Sequence, residues 1–164
     1  MRHILDKAEE ILDDFGGKNI FETAENSGAI VWERPLGGLK GFYLFENGSR
    51  YIVINEALDN ITKTVVCAHE LGHDMLHREL SAGGIRENTL FLSGNKTERE
   101  ANLFAAEILI SDDDILDEIA EHNSIGALCA AIGFPRGIVD FKLEILNFKG
   151  YHFNSGETTS DFLK

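Results

Sequence analysis

Between residues 3 and 15, Ile4, Leu5, Ala8, Ile11, Leu12 and Phe15 recur at the three- and four-residue spacing of one helix face, and Gly16-Gly17 closes the run. A shorter helical stretch over residues 19–26 stops at the turn signal Asn26-Ser27-Gly28. Ile30-Val31-Trp32 then reads as a short strand, ended by Pro35 and Gly37-Gly38. Two β-rich runs, 41–45 and 51–54, flank Asn47-Gly48, a strong hairpin signal. These runs predict a small antiparallel sheet. From Asp59 onward the pattern turns helical. One helix is predicted over 61–80, and a connection of roughly fifteen residues follows it, longer than most and so a candidate functional loop. A second helix is predicted over 97–110, and Ser111-Asp112-Asp113-Asp114 offers capping oxygens for another. Two short helices, 124–132 and 137–148, joined through Gly133-Phe134-Pro135, complete an α+β chain. The expected organisation is a single domain over 1–150, with about 111–150 as a helical appendage and 151–164 as a flexible tail.

Composition narrows the chemistry. The 164 residues carry 15 lysines and arginines against 28 acids, a formal charge of −13. Nucleic-acid binding without sequence preference relies on Lys and Arg at phosphates, so this balance argues against it, and equally against docking on anionic lipid. Cys67 and Cys129 form no C-x-x-C pair, which excludes a disulfide framework and suggests reduced thiols in a cytoplasmic protein. The first ten residues carry acids where a signal peptide needs an apolar stretch, and no segment reaches the ~18 apolar residues of a membrane span.

His69-Glu70-Leu71-Gly72-His73 is an H-E-x-x-H motif inside a predicted helix. Residues four apart share a helix face, so both imidazoles can converge on one Zn²⁺ at about 2.0–2.1 Å. Glu70 is turned by about 100° around the helix. That makes it a poor third ligand but places it to act as general base on a water at the metal's open side. Val65, Val66, Leu76 and Leu80 flank the two histidines, and burying imidazoles among them is costly unless they are bonded or ligating.

A catalytic zinc needs a third protein ligand. His77 lies four residues past His73, but ligands at i, i+4 and i+8 span about 12 Å along a straight helix, so packing, or a hydrogen bond that supports a ligand, suits it better. In the next helix Ala101, Phe104, Ala105, Ile108 and Leu109 form the apolar stripe, and Glu98 falls on it. Glu100 sits on the opposite side, beside Glu107. A core-facing glutamate with no obvious cationic partner favours ligation over the bland alternative of stabilising the helix N-terminus. Asn102, one turn beyond Glu98, is placed to hydrogen-bond a ligand, and Ala101 and Ala105 allow close helix approach.

The run Cys67-Ala68-His69-Glu70-Leu71-Gly72-His73, then Leu76-His77-Arg78, then Glu98-Arg99-Glu100-Ala101-Asn102-Leu103-Phe104-Ala105-Ala106-Glu107, resembles the ImmA/IrrE-type metallo-endopeptidases over roughly residues 51–110. In the wider glutamate-zincin group the third ligand opens an E-x-x-x-D or E-x-x-x-N step, which Glu98 and Asn102 match. The resemblance implies a zincin-like fold, a small sheet packed on the histidine helix, and peptide hydrolysis by metal-activated water. It also implies a protein substrate, typically a helix-turn-helix transcriptional repressor. In zincins an edge strand commonly receives the substrate backbone. Tyr51 to Ile54 reads as that rim, unless its amides are fully paired within the sheet. Tyr51, His77, His122 and His152 are candidates for a second oxyanion donor on chemistry alone, and each reads better as structural.

Two other readings compete. Residues 124–148 loosely resemble a helix-turn-helix, which would make the chain a DNA-binding or regulatory module without hydrolysis. Arg136, Asp140, Lys142, Glu144 and Lys149 are, however, too mixed for a phosphate-binding face. A purely structural zinc would want four Cys and His ligands, and Cys67, two residues before His69, points elsewhere on the helix.

Overall fold

The computed structural model describes residues 1–78 and 96–153. The N-terminal amphipathic pattern forms α1 (Arg2–Phe15), which buries Ile4, Ala8 and Ile11. Asn19 starts α2 (Ile20–Asn26) by accepting the N–H groups of Phe21 and Glu22, which satisfies two of the donors a helix start leaves unpaired. Three strands follow: β1 (Ile30–Arg34), β2 (Gly41–Glu46) and β3 (Ser49–Asn55). Asn47 and Gly48 both take positive φ, 51° and 78°, as the tight turn between β2 and β3 requires.

The α+β expectation stands, but the sheet is mixed rather than wholly antiparallel. Its order is β1-β3-β2. The hairpin partners β2 and β3 run antiparallel, with Tyr43 opposite Ile52, while β1 lies parallel to β3, with Ile30 opposite Tyr51 and Arg34 opposite Asn55. The segment 35–40 carries the chain from one edge to the other, and β3 then enters between β1 and β2. A hairpin signal fixes only its own pair, so this crossover left no mark in the local pattern. Because β3 is central, its backbone is paired on both sides. The expectation that Tyr51 to Ile54 forms a substrate rim is thereby overturned.

The inner face of the sheet, with Tyr43, Ile52 and Ile54 buried, packs on α3 (Asn60–His77). Asp59 caps this helix by accepting the Thr62 N–H at 2.9 Å. Leu80, at the end of the predicted helix, the connection after it and the tail beyond residue 153 lie outside the described residues. The chain continues with α4 (Lys96–Leu109), α5 (Asp112–Glu121), α6 (Ile125–Ile132) and α7 (Arg136–Phe148). Ser111 caps α5 through the Asp114 N–H. Ile138, Val139 and Ile145 of α7 join the same core as Ile4, Ile52, Val66 and Phe104. No helix among the described residues is long and apolar enough to cross a membrane.

The approach of α4 to α3 depends on Gly72, where an added Cβ would meet Ala101 Cα at 3.1 Å and Phe104 Cδ1 at 3.2 Å. Gly72→Val is expected to wedge the two helices apart and lower stability by about 1–3 kcal/mol, the usual cost of overpacking. Denaturant unfolding checks this. An unchanged midpoint would show that the contact is loose.

Candidate metal centre

One turn of α3 separates His69 from His73, and both rings face α4. Glu98, in the first turn of α4, meets them there. The two Nε2 atoms are 3.1 Å apart, Glu98 Oε2 is 3.3 Å from His69 Nε2, and Glu98 Oε1 is 3.3 Å from His73 Nε2. All three side chains are buried, and among the described residues no other group of His, Cys, Asp and Glu could share an ion in this way.

The donor chemistry fits a divalent cation. Ligands at Zn²⁺ distances of about 2.0–2.2 Å in tetrahedral geometry stand about 3.3–3.5 Å apart, close to the nitrogen–nitrogen and nitrogen–oxygen separations here. Asn102, fully buried on α4, places Oδ1 2.9 Å from His69 Nδ1. An amide oxygen only accepts, so His69 donates from Nδ1 and keeps its Nε2 lone pair for the centre of the triangle. Glu98 Oε2 is buried with no hydrogen-bond donor among the described residues. Burial alone would raise the Glu98 carboxyl, but the imidazoles of His69 and His73 outweigh burial and hold it at about 2. The site therefore presents two imidazole nitrogens and one carboxylate.

Glu70 follows His69 on α3 and is fully buried. Glu100 does not join the triangle. It does not face away from the neighbouring helices either, as its place on the wheel suggested. Its two oxygens lie 3.6 Å from His77 Nε2 and 3.6 Å from His3 Nε2. Burial, then the neighbouring His73, pushes the His77 imidazole down, with Glu100 pulling it back. Burial followed by the charge of Glu70 pushes the Cys67 thiol up, and its Sγ points towards the Ile20 carbonyl of α2, so it is no ligand here. The remaining oxyanion candidates are held elsewhere. Tyr51 packs on Trp32 with centroids 5.1 Å apart, His122 Nδ1 meets the Glu118 carbonyl, and His152 is exposed beyond α7.

The helix-turn-helix alternative loses its cations. Lys142 and Lys149 each pair with Glu107 and Asp112, and Arg136 pairs with Asp140. Lys142 is in fact 1% exposed, so α7 turns a charge inward rather than towards a phosphate.

Comparison with known proteins agrees with this geometry. A peptidase family model described as the IrrE N-terminal-like domain matches residues 24–144, which span both halves of the site. Uncharacterized immunity region protein 2 of Bacillus phage phi105 is 35% identical over 130 residues, covering 73% of this chain and 81% of that protein. Metallopeptidase ImmA of Bacillus subtilis (strain 168) is 28% identical over 142 residues, covering 84% of this chain and 82% of the relative. The chain belongs to the ImmA/IrrE family of metallopeptidases.

Proposed function

We propose that this protein is a zinc-dependent endopeptidase of the cytoplasm, with His69, His73 and Glu98 as metal ligands, Glu70 as general base and a helix-turn-helix repressor as substrate. The observation that carries the zinc reading is the buried cluster in which the two Nε2 atoms stand 3.1 Å apart and each lies 3.3 Å from one oxygen of Glu98. Bound there, Zn²⁺ supplies Lewis acidity, polarising a peptide carbonyl and lowering the pKa of a water to about 7. Glu70 accepts the proton of the attacking water and passes it to the leaving amide nitrogen. Asn102 holds His69 in the tautomer that ligates.

The substrate backbone is assigned to the free edge of β2. Unlike β3, β2 is paired on one side only among the described residues, and it lies against α3, where Val66 fills the space beside Gly41. In the antiparallel ladder closed by the turn, Gly41, Tyr43 and Phe45 direct their N–H and C=O groups away from β3. An extended peptide can pair with these groups.

A regulatory substrate suits a chain whose phage relative is named an immunity region protein. The formal charge of −13 also complements a basic DNA-binding partner. Glu70→Gln, used as bait in host lysate, is expected to retain a helix-turn-helix repressor that the zinc-loaded wild type then cleaves. Recovery of only unrelated basic proteins, none of them cleaved, would contradict the substrate assignment.

A further inference from the structure

Asp74 follows His73 on α3 and is turned by about 100° from the metal face. It is fully buried, yet both its oxygens are occupied by arginine. Arg50 Nη1 donates to Oδ2 at 2.8 Å, and Arg78 Nε donates to Oδ1 at 3.0 Å. Charge-assisted bonds of this kind are shorter and stronger than neutral ones. Arg50 is the second residue of β3, just after the hairpin turn, and its Nη2 also donates to the carbonyl of Ser27 at the end of α2. Gly28 keeps that path open. It takes φ +91°, and a Cβ there would lie 2.6 Å from Arg50 Nη2. One carboxylate and one guanidinium thus tie the last turn of the metal helix to the base of the hairpin and to the α2–β1 turn.

We infer that Asp74 is a positioning residue, which with Arg50 and Arg78 fixes the roll of the last turn of α3 and so the direction from which His73 presents Nε2 to the metal. Asn102 orients His69 from the α4 side, and Asp74 acts on the other histidine's turn from the sheet side. The required precision is high. A roll of about 10° moves an atom ~6 Å from the helix axis by about 1 Å, beyond the ~0.5 Å tolerance of a working site. Helix ends fray when nothing holds them, and α3 ends only four residues after His73. The same knot relates the metal to β2, because the hairpin that carries Arg50 also carries the proposed substrate edge.

Because this role presupposes the zinc centre proposed above, the test reads the metal site directly. Cobalt(II) is loaded in place of zinc, its visible d–d absorption is recorded, and zinc affinity is measured by chelator competition. Asp74→Asn keeps the side-chain shape and removes the charge, while Arg78→Gln, at the more exposed arm, is the milder variant. Lys63→Gln breaks an ion pair with Glu33 near the opposite end of the same helix and serves as control. Asp74→Asn is expected to shift the cobalt bands and weaken zinc binding roughly 10–100-fold. Arg78→Gln should shift both the same way by less, and Lys63→Gln should change neither. Wild-type spectra and zinc affinity within about twofold in the two clamp variants would overturn the positioning role. Should Asp74→Asn fail to fold, Arg78→Gln decides alone. A wild type that takes up neither cobalt nor zinc would overturn the metal centre itself, and the clamp's role with it.

Discussion

Replacing Glu98 by alanine is expected to empty the site of zinc, from about one ion per chain to a trace after chelator treatment. The carboxylate is the anionic member of the triangle, and both its oxygens stand 3.3 Å from an imidazole nitrogen. Loss of a partner that merely supports a ligand typically costs 10–100-fold in affinity. Loss of a ligand itself should exceed about 100-fold. Glu100→Ala is the matched control, two residues away on the same helix, with its oxygens turned to His77 and His3. It should retain zinc. Elemental mass spectrometry of the three proteins, purified in parallel, checks the pair. Equal zinc in all three would remove Glu98 from the ligand set.

Glu70→Gln is expected to behave in the opposite way, keeping its metal while losing hydrolysis. Glutamine has the shape of glutamate but cannot accept the water proton at neutral pH. Removing a general base costs about 10²–10⁴-fold in rate. Peptide hydrolysis and zinc content should be measured on the same preparation, so that a slow enzyme is not mistaken for an empty one. Undiminished cleavage by a zinc-loaded variant would show that another group takes the proton.

Much of this site could be read from the sequence because its logic is local. His69 and His73 are one helical turn apart, and Glu98 and Asn102 fall on a single face of the following helix. Periodicity therefore puts each pair on one face of its own helix, and the need for a third ligand joins the two faces. The close approach of those helices was also foreshadowed by Ala101 and Ala105, although it needs Gly72 as well, where a Cβ would meet Ala101 and Phe104. What escaped was non-local. The parallel pairing of β1 with β3 depends on a crossover that no window of residues encodes, and it moved the free edge from β3 to β2. Glu100 looked solvent-facing on a helical wheel because the wheel does not know that α1 and the end of α3 pack there. Nothing in the helical periodicity singles out Asp74. The only hint was an acid set among Leu71, Met75 and Leu76, and its partner Arg50 lies 24 residues away across the hairpin. Lys142 likewise passed for a surface charge until its two acidic partners converged on it.

The zinc centre itself is tested most directly by X-ray absorption at the zinc K-edge of the loaded protein. Two imidazole nitrogens and oxygen ligands at about 2.0–2.2 Å, with no sulfur, are the result expected for His69, His73, Glu98 and an open position. A sulfur scatterer at about 2.3 Å, or a coordination shell without histidine, would contradict the account.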